Sequence, residues 1–294
     1  MGSASTVGAA LAGLVLRAAP RSTTLLCAVG RLRLEGGRPD LAWLLYQRAA
    51  AASPHDVRAL YGLGLATMRL GSPRAARLLL ERAHVQDPAN GGVCFALANA
   101  WFEEGSLRAA ARTYRAAVAL DPGNARAWFN LGHTVKALGD LDAALRCFQQ
   151  SARVDGSFFK SRFMAAYTLG LLERTSEAVA EYEAVVRIAP RYVKAHYNLA
   201  NCRLKLGDLD AARRSYLRTL RLSPSYAKAH CALGHVEVAQ GRVEQAIERF
   251  ATALSLDGTL AECHLHLARC FERQGNDRDA EHHRRCWAMT AKEM

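Results

Sequence analysis

The eight prolines of this 294-residue chain fall into two phases of one period, and that spacing constrains the fold more than any other feature. Pro20, Pro54, Pro88 and Pro122 are each 34 residues apart, Pro190 and Pro224 continue the phase, and Gly156 fills its one vacant place. Pro39 and Pro73, the other two, are also 34 apart. Helix breakers recurring at that interval confine regular structure to short segments repeated along the chain.

With repeat starts at 23, 57, 91, 125, 159, 193, 227 and 261, the other columns align without insertion. The twentieth position is Ala in every copy, from Ala42 to Ala280. The fifteenth is Gly in seven copies, with Glu173 in the fifth. The eighth is always Gly or Ala, and the twenty-fourth is aromatic in six copies: Tyr46, Tyr114, Phe148, Tyr182, Tyr216 and Phe250.

Each column has a mechanical reading. Between Pro and Gly run about fourteen residues with apolar spacing of three and four, which predicts an amphipathic helix. The Gly ends it in a left-handed conformation. A second helix follows, with Pro39 and Pro73 in its first turn, where a missing N–H costs little. Small residues at positions eight and twenty let the two helices cross closely, and the proline at position thirty-two stops the second one.

This pattern resembles the tetratricopeptide repeat (TPR) family, best in residues 125–158, where Trp128, Leu131, Gly132, Gly139, Ala144 and Phe148 hold the motif positions. The resemblance covers residues 23–294 as one array of eight repeats. It implies an all-α fold: antiparallel helix pairs stacked into a right-handed superhelical solenoid with a concave groove.

Residues 1–22 keep the register, since Pro20 lies in phase, and residues 5–19 would form the second helix of a partial repeat. Residues 8–16 are apolar nearly all round, so a partner or a preceding stretch of a longer product would cover them. The segment lacks acids before Glu35 and carries Arg17, Arg21, Arg31 and Arg33 among Ser, Thr and Ala, a transit-peptide composition. The repeat register, however, runs through residues 25–33, and cleavage there would damage the array. The start Met1-Gly2-Ser3-Ala4-Ser5-Thr6 fits an N-myristoylation pattern, or an expression-tag remnant. In the last repeat Arg284 replaces the aromatic, flanked by Glu281, His282, His283 and Arg285, a polar face suited to the end of a solenoid.

Composition narrows the classes further. Half of the residues are apolar and 22% charged, with a mean hydropathy of −0.07, which excludes a mainly disordered, collagen-like or disulfide-stapled chain. No apolar run reaches the ~20 residues of a membrane helix. The eight cysteines are scattered with no C-x-x-C, and read as reduced, mostly buried thiols of an intracellular protein, expected in the cytoplasm, with a mitochondrial or other organelle as the alternative. The net charge of +12, from 33 Arg and 6 Lys against 27 acids, favours acidic partners.

Motifs for catalysis are absent: there is no phosphate-binding loop, nucleophile elbow, H-E-x-x-H or kinase signature. Gly62-Leu63-Gly64 falls inside a predicted helix and belongs to the repeat. The metal candidate is the pair His266/Cys270 with His282/Cys286, near Cys263 and His264. The repeat phase puts Cys270 at a packed position and His282 and Cys286 on an outward face, so the pairs point apart. His196, His230 and His264 share the fourth position, where TPR repeats often carry Trp, and read as packing residues. A non-enzyme without catalytic residues, metal or cofactor is expected.

In TPR proteins the ligand lies on the concave face, at positions two, five, nine, twelve and thirteen. Here position two reads Arg126, Lys160, Lys194 and Lys228 in successive copies, after Arg58 earlier. Position five reads Tyr61, Phe95, Phe129, Phe163 and Tyr197, and position nine reads Asn99, His133, Tyr167, Asn201 and His235. A cationic ladder beside an aromatic one suits an extended acidic peptide: rings take apolar side chains, cations take carboxylates, and Asn or His holds the backbone. Otherwise the cations form a solvated face and the rings pack between repeats. The carboxylate clamp of some TPR cochaperones is matched by Asn99, Asn130 and Lys160, while Phe95 and Met164 replace two of its five residues.

The expected function is thus a protein–protein interaction scaffold or adaptor, one subunit of a larger complex, with an extended acidic segment in its groove. The alternatives are an RNA-binding helical repeat, which resembles pentatricopeptide proteins in charge but not in this 34-residue phasing, and a substrate-recognition array like that of O-GlcNAc transferase without its catalytic domain. For the latter, Asn130 and Asn198 match an asparagine ladder that Ala96, Met164 and Ala232 interrupt.

Overall fold

The computed structural model describes residues 22–290, so the expected N-terminal partial repeat, the N-myristoylation pattern and the transit-peptide-like stretch up to Arg21 lie outside the described residues. The described residues form sixteen helices and no strand, and the chain divides into two compact units at Asp155/Gly156, where the proline phase is interrupted. Unit 1 holds α1 (Thr23–Glu35), α2 (Pro39–Ala52), α3 (Val57–Arg69), α4 (Pro73–Gln86), α5 (Gly91–Glu103), α6 (Leu107–Leu120), α7 (Ala125–Ala137) and α8 (Leu141–Val154). Unit 2 holds α9 (Phe159–Leu171), α10 (Thr175–Ile188), α11 (Val193–Lys205), α12 (Leu209–Leu222), α13 (Ala227–Ala239), α14 (Val243–Leu256), α15 (Ala261–Arg273) and α16 (Asp277–Thr290). Every first helix of a pair begins on the residue where the sequence places a repeat start.

The turn inside each pair is made by the glycine column. At Gly139 (φ 91°) the Gly139 N–H donates to Lys136 O (3.0 Å) and the Asp140 N–H to Val135 O (3.1 Å), the paired bonds of a Schellman cap. Glu173 keeps the same turn: it sits at φ 59°, its N–H donates to Gly170 O (3.3 Å), and the Arg174 N–H donates to Leu169 O (2.9 Å). Tertiary pairing therefore holds a non-glycine residue left-handed at a cost of roughly 1–2 kcal/mol. Likewise α8 stops at Val154 although position 156 is Gly rather than Pro. The proline reinforces that helix stop without being required for it.

Packing follows the small-residue columns. All eight position-twenty alanines are fully buried. Across the pair, position eight faces the position-twenty-four ring: a Cβ on Gly132 would lie 2.7 Å from Phe148, and one on Gly234 would lie 2.7 Å from Phe250. Those rings are fully buried, each contributing about 1.5–3 kcal/mol of apolar transfer.

The residue ahead of each first helix separates the two units. In unit 1 it is Ser22, Asp56, Asn90 or Asn124, and each side chain accepts a hydrogen bond from the helix's third residue, as Asn124 Oδ1 does from the Ala127 N–H (3.0 Å). In unit 2 the column reads Phe158, Tyr192, Tyr226 and Leu260, and none caps its helix. Tyr192 and Tyr226 instead lay their rings 5.1 Å from Phe163 and 5.0 Å from Tyr197, centroid to centroid.

Unit 2 also buries a charge. The Glu237 side chain on α13 is 2% exposed and accepts from Arg213 (2.8 Å) and Arg242 (2.8 Å). The pairing offsets the desolvation that an isolated carboxylate would suffer there.

Candidate functional site

The first helices of each unit carry the residues expected to bind a ligand. In unit 1 Arg126, on the first turn of α7, is exposed, while Phe95 and Phe129 are half-buried. Each ring packs within its own repeat: Phe95 lies 6.1 Å from Tyr114, and Phe129 lies 5.7 Å from Phe148 and 4.6 Å from His133. Asn99 is drawn to the same core edge, where its Oδ1 accepts from the Tyr114 hydroxyl (2.5 Å) and from Asn130 Nδ2 (2.9 Å). Two asparagines that match a cochaperone clamp are thus hydrogen-bonded to each other. His133 is half-buried, and its pKa is lowered, first by burial and then by Lys136.

Asn99 and His133 open onto a recess of about 830 Å³, together with Asn130 and Tyr114 and, at its charged edge, Arg69 and Glu103. Phe95, Phe129 and Arg126 do not line it. Asn130 comes from position six, Arg69 and Glu103 from position thirteen, a concave-face position of the repeat, and Tyr114 from the aromatic column at position twenty-four. The recess therefore offers amide, imidazole and phenol groups and one charge of each sign.

Unit 2 is built differently. Lys160, Lys194 and Lys228, on the first turns of α9, α11 and α13, are all exposed, and among the described residues none has a carboxylate at ion-pair distance. Lys228 is near enough to Asp257 to help hold that carboxylate low, although hydrogen bonds from Thr259 do most of this. Phe163 and Tyr197 are half-buried beside the lysine column, each between two rings: Tyr182 (5.6 Å) and Tyr192 for the first, Tyr216 (6.0 Å) and Tyr226 for the second. Tyr167 is 42% exposed. Asn201 Oδ1 accepts from the Tyr216 hydroxyl (2.6 Å), and Asn198 Nδ2 donates to the Tyr182 hydroxyl (3.1 Å). His235 stacks by its edge on His266 (4.1 Å between centroids), whose pKa is pushed down to about 4, mainly by burial and then by His235 itself.

The proposed metal pairs are separated by burial. Cys270 is buried and His266 half-buried, whereas His282 is exposed with its Nε2 3.6 Å from Cys286 Sγ. No group of three or more metal-binding side chains converges among the described residues. His196 and His230 are buried, each with Nε2 on a proline carbonyl, Pro190 O (3.0 Å) and Pro224 O (2.9 Å), which fits a packing role. His264 meets His283, Nδ1 to Nδ1, at 2.9 Å. All eight cysteines are free, six of them buried. None of the described helices is long and apolar enough to cross a membrane.

Comparison with known proteins places this architecture. Tetratricopeptide-repeat profiles match residues 27–91, 125–158, 163–227 and 237–283, and a TPR-repeat profile matches 98–139. No curated protein matches in sequence. Among solved structures, YrrB, described as a TPR protein with an unusual peptide-binding site, is 19% identical with a TM-score of 0.57, covering 63% of this chain and 95% of its own. MamA from Desulfovibrio magneticus RS-1 is 21% identical with a TM-score of 0.55, covering 58% and 96%. The APC/C hetero-tetramer Cut9–Hcn1 is 18% identical with a TM-score of 0.55, covering 89% of this chain and 51% of that one. These likenesses are of fold alone. Taken with the profile matches in both units and the helix pairs that begin on every repeat start, they make this chain a member of the tetratricopeptide-repeat family.

Proposed function

We propose that this chain is a non-catalytic adaptor that holds an extended acidic peptide segment against the first helices of unit 2, as one subunit of a larger assembly. The observation that carries the reading is the column Lys160, Lys194 and Lys228: three exposed ammonium groups at one position of successive first helices, none neutralised by an ion pair within the described residues. Successive packed helices lie roughly 8–10 Å apart. Carboxylates on every second or third residue of an extended chain repeat at roughly 6.6–10 Å, so an acidic strand keeps register with the column. Exposed Tyr167 and the edges of Phe163 and Tyr197 give apolar side chains a place between the charges. Arg126 and the Asn99/His133 recess give unit 1 a polar surface of its own for a peptide. YrrB, with its peptide-binding site, is a precedent for this use of the fold.

The test is the triple variant Lys160→Glu/Lys194→Glu/Lys228→Glu, used as bait in affinity purification with mass spectrometry beside the unaltered chain. The adaptor reading expects partners of the unaltered chain to disappear while circular dichroism stays the same. An unchanged partner list removes the lysine column from the function. The RNA alternative instead expects oligonucleotide affinity that falls steeply with salt, and no binding at low salt discards it.

A further inference from the structure

A second recess, of about 850 Å³, lies on unit 1 between α6 and α8, with α7 beneath it. Arg115 and Val118 contribute from α6, Trp128 and Leu131 from α7, and Arg146 and Arg153 from α8. Val118 and Leu131 are buried. The Trp128 indole is half-buried and fixed, its Nε1–H donating to Pro122 O at 3.0 Å. The three arginines are exposed, and among the described residues none is in an ion pair. No acidic residue lines the recess. Arg115 and Arg146 thus reach the same recess from two different helices. From Ala143 to Arg153 the α8 wall runs about 15 Å at 1.5 Å per residue, the length of about three helical turns.

We propose that this recess is a docking groove for an amphipathic, acidic α-helix of a protein partner, laid between α6 and α8 with its apolar side on Trp128 and its carboxylates against Arg115, Arg146 and Arg153. Charge complementarity selects the acid, because three unneutralised cations surround a floor that supplies no anion. The shape selects the helix. An extended strand would set unpaired backbone groups on the apolar floor, whereas a helix satisfies its own. A flat bilayer cannot enter between two helical walls. The groove is built from second-helix residues and α7, and it depends on neither the lysine column nor the reading drawn from it.

The full chain tests this with a fluorescein-labelled helical peptide of about four turns, Leu along one face and Glu on both flanks, followed by anisotropy at low salt. Saturable binding is expected, weakened about tenfold or more by Arg115→Glu/Arg146→Glu/Arg153→Glu and unaffected by the Lys160, Lys194 and Lys228 reversal. The neutral variant Arg115→Gln/Arg146→Gln/Arg153→Gln serves as a second probe and is expected to weaken binding less. A peptide with Lys in place of Glu is expected not to bind. The proposal is overturned if the acidic peptide fails to bind, binds the arginine-reversed chain equally well, or binds no better than its Lys counterpart. It is also overturned if the arginines serve only single-stranded oligonucleotide or anionic phosphatidylserine vesicles.

Discussion

Ser22, Asp56, Asn90 and Asn124 cap the first helices of unit 1, while Phe158, Tyr192, Tyr226 and Leu260 stand in the same column of unit 2 and cap nothing. A side-chain cap contributes about 1 kcal/mol, and a favourable ring pair about 0.5–1.5 kcal/mol beyond its buried area. The two solutions are close enough in energy to be exchanged, so helix stability alone does not select between them. Their effect on the surface differs. Tyr192 and Tyr226 clamp Phe163 and Tyr197 from a second side, next to exposed Lys160, Lys194 and Lys228. The capping column of unit 2 has been turned into support for its first-helix face. Unit 1 keeps its caps and offers instead one polar recess and one with an apolar floor edged by arginines.

The difference can be broken at single residues, with local hydrogen exchange as the readout because repeat arrays depart from two-state unfolding. The largest effect is expected at the buried charge of unit 2. Removing both partners, Arg213→Ala with Arg242→Ala, strands Glu237 in the core and should lower protection of α13 by about 3–5 kcal/mol. A loss below about 1 kcal/mol would show that water reaches the carboxylate.

Next is Tyr226. Tyr226→Ala removes the ring against Tyr197, whereas Tyr226→Asn removes the ring and restores a unit 1 cap, so the Asn variant should be more stable by about 1 kcal/mol. Equal losses would mean that capping and ring packing are not alternatives here. The matching change in unit 1, Asn124→Ala, should cost about 1 kcal/mol at the start of α7 and leave unit 2 unchanged. The smallest effect concerns the intra-pair turn: Glu173→Gly relieves a left-handed residue at the expense of its exposed pairing with Lys205, for a net gain of under about 1 kcal/mol. A net loss would show that the ion pair outweighs the strain.

Sequence made the helix pairs legible because steric demands repeat: Gly132 and Gly234 leave no room for a Cβ beneath Phe148 and Phe250, and the position-twenty alanines are fully buried. Glu173 interrupted the pattern without changing the fold, since the turn is fixed by the packed helices on both sides of it. The candidate site was legible only in part. Exposure of the lysines followed from their position, but the position-five rings divide themselves between the surface and their own repeat's core. The capping column could have been read from Ser, Asp and Asn at position thirty-four, giving way to Phe and Tyr. The arginine groove could not, because Arg115, Trp128 and Arg146 occupy different repeat positions and meet only when three helices pack.

The lysine column can be tested directly by chemistry, since the chain has only six lysines: Lys136, Lys160, Lys194, Lys205, Lys228 and Lys292. Carbodiimide coupling joins a peptide carboxylate to an ammonium group it already touches. With an extended peptide alternating Glu and Leu, mass spectrometry should find cross-links to Lys160, Lys194 and Lys228, ordered along the peptide and suppressed by salt. Cross-links confined to Lys136, Lys205 or Lys292, or none above a scrambled neutral control, would contradict the account.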